Sequence, residues 1–183
     1  IFSKKNLGVG GATMIGFKKA LKKNYEFIFK IDGDGQHNPS EIKKFLNILL
    51  NSNSTFCKGS RFLDRKNKKK IPKIRLIGNI ILTYMSRITC ANNEITDVVN
   101  GFLCIRAQLL KKLNLKEISN DFFFEEDLLF NISFLEKNIK EVQIKTIYNN
   151  KSSLSPIKTI LPFIFKHLRN YIFRLMYKYE KDK

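Results

Sequence analysis

Two carboxylates lie close together in the segment Asp32–Pro39, which reads DGDGQHNP. Asp32 and Asp34 follow the apolar run EFIFKI, a strand candidate, and side chains two residues apart on an extended chain point to the same side. Hard oxygen ligands at this spacing suit Mg²⁺ or Mn²⁺, which needs only one or two carboxylates when a diphosphate supplies further oxygens. An Asp-Gly turn without chemistry is the competing interpretation, because Asp-Gly is a common hairpin signal. The spacing alone leaves both interpretations open.

Helical and strand-like patterns alternate along the chain, which predicts an α/β fold. Strand-like runs lie at 26–31, 55–58, 101–105 and 141–147, and helical patterns at 12–23, from Pro39 onward, from Pro72 to about Ala91, at 125–137 and from Pro162 to about Tyr179. Open α/β sheets bind ligands at the carboxyl ends of their strands. Asp32 and Asp34 are therefore predicted to lie where such a protein could bind a ligand.

The composition is that of a basic globular domain. The 183 residues suit one domain, and 34 Lys and Arg against 16 Asp and Glu give a formal net charge of +18. Such a charge attracts nucleic acid, anionic lipid head groups or phosphorylated substrates, although a bias towards Lys, Asn, Ile and Phe can also follow from AT-rich coding. The three cysteines form no CxxC pair, which indicates neither a disulfide framework nor a zinc site and fits a reducing compartment. No apolar run is long enough to predict a transmembrane helix.

The acidic motif resembles the signature of family-2 glycosyltransferases, especially the branch of dolichol- and bactoprenol-phosphate sugar synthases. The resemblance implies a nucleotide-sugar-binding glycosyltransferase fold, with a mostly parallel central sheet flanked by helices. It also implies that Asp32, Asp34 and Gln36 hold Mg²⁺ or Mn²⁺ on the diphosphate of the donor. The two aspartates would then be donor-binding, and Asp34 would be catalytic through the metal. His37 is expected to be a loop residue or to lie behind the metal ligands, and not to bind the metal itself.

Four further segments match the same family in order along the chain: NLGVGGATMIG (6–16), GSRF (59–62), RLIGN (75–79) and TDVVNGFLCIR (96–106). The first implies that Gly8 and Gly11 lie beside the donor nucleotide. The strand, turn and acidic segment with which the family grips the base and ribose have no counterpart here. We therefore expect an N-terminally truncated version of the fold.

Arginine and acidic side chains are candidates for acceptor recognition and catalysis. The resemblance places Arg61 and Arg75 at the phosphate of a polyprenyl-phosphate acceptor, where a planar guanidinium matches phosphate oxygens; two solvated arginines are the alternative. Asp97 is a candidate base or sugar-orienting carboxylate, or else the cap of a turn or helix. The triple acid 125–127 is a rival for the catalytic role, although it equally fits acids favoured at a helix start.

The C-terminal segment is predicted to form a basic amphipathic helix, so we divide the chain into a glycosyltransferase domain, 1–155, and this helix, 156–183. Its apolar stripe comprises Leu161, Ile164, Leu168, Ile172, Leu175 and Tyr179, with Lys166, Arg169, Arg174 and Lys178 off the stripe. The helix could lie in a membrane interface or pack against the sheet. A similar stripe in the helix 72–91, formed by Ile74, Ile81, Met85 and Ile88, is expected to pack in the core.

The resemblance implies metal-dependent, inverting transfer of a sugar from a nucleotide-sugar donor to an acceptor, a polyprenyl phosphate, in cell-surface glycan assembly. The expected location is cytoplasmic and peripheral on the inner face of the membrane. Alternatives are a transferase that uses a sugar hydroxyl of a surface polysaccharide, which would need a true base, and an inactive truncated relative. A basic nucleic-acid-binding protein is disfavoured because the chain has no helix-turn-helix or zinc-finger signature and its best motif is acidic.

Overall fold

The structure is a computed structural model that describes residues 5–64, 71–147 and 156–181. Most of the lysine-rich segment 64–70 therefore lies outside the described residues. Six α-helices and four strands make up the described part. In chain order they are α1 (Gly8–Lys22), β1 (Phe27–Lys30), a short 3-10 helix (Pro39–Glu41), α2 (Ile42–Leu50), β2 (Phe56–Ser60), α3 (Lys73–Cys90), β3 (Leu103–Arg106), α4 (Ala107–Leu110), α5 (Phe124–Ile132), β4 (Lys140–Gln143) and α6 (Pro156–Lys181).

The strands form one sheet in the order β1-β3-β2-β4. β3 is antiparallel to both β1 and β2, whereas β2 and β4 are parallel. Three of the four strands therefore run in the same direction, as expected for the predicted α/β fold. However, β3 runs the opposite way and lies between β1 and β2, so two of the three neighbouring pairs are antiparallel. The direction of a strand depends on its pairing with residues far away in sequence, which local hydrophobic periodicity does not report.

The hydrophobic core occupies both faces of the sheet. Successive residues of β2 and β3 point to opposite faces, so Phe56 and Ile105 pack in one cluster with α1 and α5, whereas Cys57 and Cys104 pack in a second cluster with α2. All three cysteines are buried and free, which agrees with the predicted lack of a disulfide framework. Burial raises the pKa of each thiol to about 12.

Helices α3 and α6 pack against each other, but with faces that the sequence did not predict. The inward face of α3 carries small polar residues, among them Thr83, Ser86 and Thr89. The stripe expected in the core is instead turned outward, because Ile74, Ile81 and Ile88 are exposed. Helix α6 begins at Pro156 rather than at Pro162, and the whole apolar stripe 161–179 predicted for it is exposed. None of the described helices combines the length and the apolar character needed to cross a bilayer.

Candidate active site

The ends of two strands bring the predicted acidic and basic residues to one edge of the sheet. β1 and β2 run in the same direction on either side of β3. Asp32 follows the end of β1 and Arg61 follows the end of β2, so both lie at the carboxyl-end edge. The turn before β3, which contains Asn100 and Gly101, lies at the same edge because β3 runs the opposite way. This edge is the candidate active site.

Asp32 is held by a buried lysine that the sequence analysis did not single out. The Nζ of Lys30 lies 2.7 Å from Oδ1 of Asp32 and 2.5 Å from Oε1 of Glu125 on α5. The side chains of Lys30 and Glu125 are only 7% and 9% exposed, whereas that of Asp32 is 32% exposed. Asp32 therefore has one oxygen tied to a buried ion pair and a side chain that solvent can still reach.

Asp34 and Gln36 form the next part of the acidic loop. Asp34 is exposed, and its Oδ1 accepts a hydrogen bond from the backbone N–H of Gln36 at 3.0 Å. The carbonyl of Gln36 in turn accepts a hydrogen bond from the backbone N–H of Ile147 at 3.0 Å, which fastens the loop to the segment after β4. The loop is thus a turn, as one interpretation predicted, and the same turn leaves both aspartates accessible.

His37 lies between the acidic and the basic side chains. Its Nε2 is 3.9 Å from Oδ2 of Asp32, and its ring packs against Phe102 with ring centroids 5.5 Å apart. Burial lowers the pKa of His37, and the carboxylates Asp32 and Asp34 oppose that shift. Arg61 and Lys30 also act on its charge. All of these charges therefore share one region of the edge.

Arg61 and Asp97 form a closed ion pair. The Nε of Arg61 donates to Oδ2 of Asp97 at 2.6 Å, its Nη2 donates to Oδ1 at 2.7 Å, and its backbone N–H donates to Oδ2 at 3.0 Å. Asp97 is fully buried, and the guanidinium beside it holds the pKa of its carboxyl below the usual value against the opposing effect of burial. This bidentate geometry fixes the plane of the guanidinium.

The turn that carries Asp97 is held in place by β4. Oε1 of Glu141 accepts hydrogen bonds from the backbone N–H groups of Thr96, at 2.9 Å, and of Asp97, at 3.3 Å. The Thr96 hydroxyl bonds to the other carboxylate oxygen of Glu141 and lies 2.6 Å from the hydroxyl of Ser60. The end of β2, the 96–97 turn and β4 are therefore joined around the Arg61–Asp97 pair.

The three consecutive acids of α5 have three different environments. Glu125 pairs with Lys30, as described above. Asp127 accepts hydrogen bonds from the backbone and hydroxyl of Ser119, at 2.9 and 2.8 Å, and from Arg169 and Asn170 of α6, at 2.9 and 3.0 Å. Glu126 is buried with neither carboxylate oxygen hydrogen-bonded in the described part of the chain, and burial raises its pKa to about 8.

The remaining predicted site residues, Gly8, Gly11 and Arg75, take no part in the hydrogen bonds and ion pairs described above. Gly8 and Gly10 press against the backbone of Asn120, and the N–H of Gly10 donates to the Asn120 carbonyl at 2.9 Å. Helix packing therefore explains much of the glycine pattern; Gly11 lines an open pocket, and the donor contact expected for Gly8 and Gly11 stays a prediction. Arg75 is half-buried in the first turn of α3 and takes no part in the Arg61–Asp97 pair.

Sequence reasoning missed Lys30, Gly101 and Glu141. Lys30 could have been found, because it stands two residues before Asp32 and so points to the same side of the strand. A Cβ at residue 101 would lie 2.2 Å from Oδ2 of Asp32 and 2.5 Å from the Nζ of Lys30, so Gly101 lets both groups keep these positions. Nothing in the sequence around Glu141 indicates that it reaches the 96–97 turn, since that contact depends on the pairing of β2 with β4.

The donor set fits a hard divalent cation. Asp32 and Asp34 offer carboxylate oxygens that solvent can reach, and Gln36 follows in the same turn. No cluster of three or more His, Cys, Asp or Glu side chains suited to a metal occurs in the described ranges. These residues therefore supply only part of a coordination sphere. Two carboxylates suit Mg²⁺ or Mn²⁺ when a substrate diphosphate provides the further oxygen ligands.

Carboxylates and an ordered arginine at the carboxyl-end edge of an α/β sheet are groups that can bind a phosphorylated ligand and its metal. The chain belongs to glycosyl transferase family 2, whose sequence profile matches residues 1–113. It is 30% identical over 158 residues to UDP-N-acetylglucosamine–dolichyl-phosphate N-acetylglucosaminyltransferase of Methanococcus voltae, covering 86% of this chain and 62% of that protein. It is 29% identical over 138 residues to undecaprenyl-phosphate mannosyltransferase of Micrococcus luteus, covering 75% and 56%.

The fold is also that of solved glycosyltransferase structures. Glucosyl-3-phosphoglycerate synthase of Mycobacterium tuberculosis, crystallised with Mn²⁺, UDP-glucose and phosphoglyceric acid, superposes with a TM-score of 0.64 over 90% of this chain and 56% of that chain. The sequence identity is 11%, so the likeness concerns the fold alone. The family and the fold class predicted from the acidic motif are therefore confirmed, for a chain that spans about 60% of the length of these relatives.

Proposed function

We propose that the protein transfers a sugar from a nucleotide-sugar donor to a polyprenyl phosphate, using a divalent metal, at a membrane surface during cell-surface glycan assembly. The observation that carries this proposal is the meeting of two accessible carboxylates and a rigidly held arginine at one sheet edge. The names of the relatives from Methanococcus voltae and Micrococcus luteus, both of which specify a lipid-phosphate acceptor, support the choice of acceptor.

Asp32, Asp34 and Gln36 would hold Mg²⁺ or Mn²⁺ on the donor diphosphate. When bound, the cation would neutralise the charge that develops on the departing nucleoside diphosphate. His37 would stay neutral beside this charge, because burial lowers its pKa. Its packing against Phe102 would keep the acidic loop in one conformation.

The buried ion pair suggests that Asp97 positions Arg61 rather than acting as a base. Both carboxylate oxygens of Asp97 already accept hydrogen bonds from Arg61, and its lowered pKa makes it a weak proton acceptor. Arg61 would contact the acceptor phosphate in an orientation that Asp97 sets, with Arg75 as a second cationic contact. A phosphate monoester is largely ionised at neutral pH and needs little help from a base. The arrangement therefore favours a phosphate acceptor over a sugar hydroxyl.

The exposed faces of α3 and α6 fit an anionic membrane surface. Sixteen of the 23 exposed large hydrophobic residues in the described ranges lie on these two helices. On α3 they are Ile74, Ile77, Ile80, Ile81, Tyr84 and Ile88, and on α6 Leu161, Ile164, Phe165, Leu168, Tyr171, Ile172, Phe173, Leu175, Met176 and Tyr179. An apolar face this large on a chain of net charge +18 would gain both apolar burial and attraction to acidic lipids.

Donor and metal binding are tested by calorimetric titration of UDP-sugars and GDP-sugars, with and without Mn²⁺. We expect Mn²⁺-dependent binding of one nucleotide class that disappears in the double variant Asp32→Ala, Asp34→Ala. Both residues lie at the solvent-accessible loop, so the variant should stay folded. Metal-independent binding that survives the double substitution would contradict the proposed site.

Membrane contact is tested by flotation with vesicles of phosphatidylglycerol and of phosphatidylcholine. We expect preferential binding to the anionic vesicles, reduced at least about tenfold in the variant Ile81→Glu, Phe165→Glu, because each apolar side chain contributes about 1.5–3 kcal/mol when it is buried. Leu50→Glu, which changes a 63% exposed leucine on α2, serves as the matched control and should not alter binding. Equal loss in the control, or self-association without lipid through the α3–α6 face, would argue against a membrane partner.

A further inference from the structure

The Lys30–Glu125 ion pair is built into the core beside the acidic loop, where a charged pair is costly to bury. Neither residue faces the solvent, and Glu125 comes from a helix that is distant in sequence from β1. A buried salt bridge is weak evidence for stability, since well-packed apolar residues often serve as well or better. The presence of this pair next to Asp32 therefore calls for a role other than stability.

The geometry of the pair constrains one side chain from two directions. The Nζ of Lys30 donates to Oδ1 of Asp32 at 2.7 Å, while Glu125 on the far side, at 2.5 Å, keeps the ammonium group from moving away. The backbone of Gly101 closes the other side, because even one methyl group there would overlap Oδ2 of Asp32 and the Nζ of Lys30. Asp32 is thus held by the ammonium group of Lys30 and lies close to the backbone of Gly101.

The ion pair also leaves a net negative charge beside the acidic loop. Lys30 alone would neutralise Asp32 and weaken its attraction for a cation. Because Glu125 offsets the charge of Lys30, the three side chains together keep one net negative charge. The ammonium group can therefore orient Asp32 without removing the negative charge that a divalent metal requires.

We propose that Lys30 and Glu125 are positioning residues for the metal site: they hold Asp32 in its ligand orientation before the metal arrives. This inference rests on the proposed metal-dependent function and extends it to residues that touch neither metal nor substrate. Outer groups that orient a metal ligand typically contribute 10- to 100-fold to metal affinity. Gly101 completes the clamp by giving the backbone close access to Asp32.

The decisive variant is the charge-neutral double substitution Lys30→Met, Glu125→Leu. It removes the clamp but leaves the net charge beside Asp32 unchanged, and it places apolar groups of similar size in the core, so the protein should fold with an unchanged or higher Tm. The control is Arg106→Met, Glu26→Leu, which removes a more exposed Arg–Glu pair of 2.6 Å at the opposite end of β1 and leaves the net charge unchanged. Gly101→Ala is an independent second test of the clamp.

The measurement is a titration with Mn²⁺, alone and with saturating UDP or GDP, followed by the electron paramagnetic resonance signal of the free ion. We expect the double variant and Gly101→Ala to bind Mn²⁺ about 10- to 100-fold more weakly than the wild type, and the control pair to bind as the wild type does. Wild-type affinity in a folded Lys30→Met, Glu125→Leu variant would overturn the positioning role while leaving the metal site intact. Binding by neither the wild type nor any variant, with or without nucleotide, would contradict the proposed metal site together with this inference.

Discussion

Replacing Asp97 by Asn separates a positioning carboxylate from a catalytic base. The substitution keeps the size of the side chain but removes its charge, and one oxygen acceptor becomes an amide that faces an N–H donor of Arg61. Asp97 is fully buried and the side chain of Arg61 is 13% exposed. Removing one partner of a buried ion pair costs about 3–5 kcal/mol, because the other charge stays buried without compensation.

The expected loss is large enough for thermal unfolding to detect. In a chain of this length each kcal/mol corresponds to roughly 2–4 °C in Tm, so Asp97→Asn should lower Tm by roughly 6–20 °C at pH 7. The pKa of Asp97 is lower in the folded protein than in the unfolded chain, so its stabilisation is fully present above an unfolded pKa of about 3.9 and is lost as the pH falls further. The difference in Tm between wild type and variant should therefore shrink below about pH 4.

A double-mutant cycle with Arg61→Met and Asp97→Leu completes the test. The pair of apolar residues should recover much of the stability that either single change loses, since it leaves no uncompensated charge. In the sugar-transfer assay, Asp97→Asn should raise the KM for the lipid phosphate more than it lowers kcat. The positioning role would be refuted if Asp97→Asn kept the wild-type Tm and KM but lost kcat and the acidic limb of the pH–rate profile. That result would indicate that Asp97 acts as a base.

Two further predictions concern stability. The pKa of Glu126 is about 8 in the folded protein, so the free energy of unfolding should fall as the pH rises from about 4.5 to 8, by on the order of 3 kcal/mol at pH 7. Urea denaturation at several pH values should show a weaker fall in Glu126→Gln, and an equal fall in both proteins would contradict the buried carboxyl. Gly10→Ala should destabilise the protein by about 1–3 kcal/mol, because its Cβ would lie 2.3 Å from the Ser119 carbonyl oxygen. Gly16→Ala, in open space on the same helix, should stabilise the protein by about 0.5–1 kcal/mol. Stability changes of the same sign for both variants would be inconsistent with this packing.

The sequence predicted the alternation of elements because helical and strand periods are local properties. All four strands and most helices lie near their predicted ranges, and the acidic loop follows β1 as expected. The short helix α4 was not predicted, since four residues are too few to display a period. The order and directions of the strands were also inaccessible, because they depend on which residues far apart in sequence come together.

The candidate site shows the same division between local and long-range information. The metal-binding role of Asp32 and Asp34 could be predicted because both residues lie in one short segment that directly follows β1. The partners of these residues could not be predicted, since Glu125 reaches Lys30 across 95 positions of the chain and Arg61 reaches Asp97 across 36. The outward face of α3 was predicted wrongly because an isoleucine stripe ordinarily marks a core face. Here small polar residues on the opposite side pack inward.

The most direct test of the proposed function is transfer of labelled sugar from the nucleotide-sugar donor, with Mn²⁺, to a polyprenyl phosphate and to the same polyprenol without phosphate. We expect transfer to the phosphate only, abolished in the variant Asp32→Ala, Asp34→Ala and strongly reduced in Arg61→Ala. Equal transfer to the unphosphorylated polyprenol, or transfer to a sugar hydroxyl with no product on the lipid phosphate, would contradict a phosphate acceptor held by Arg61.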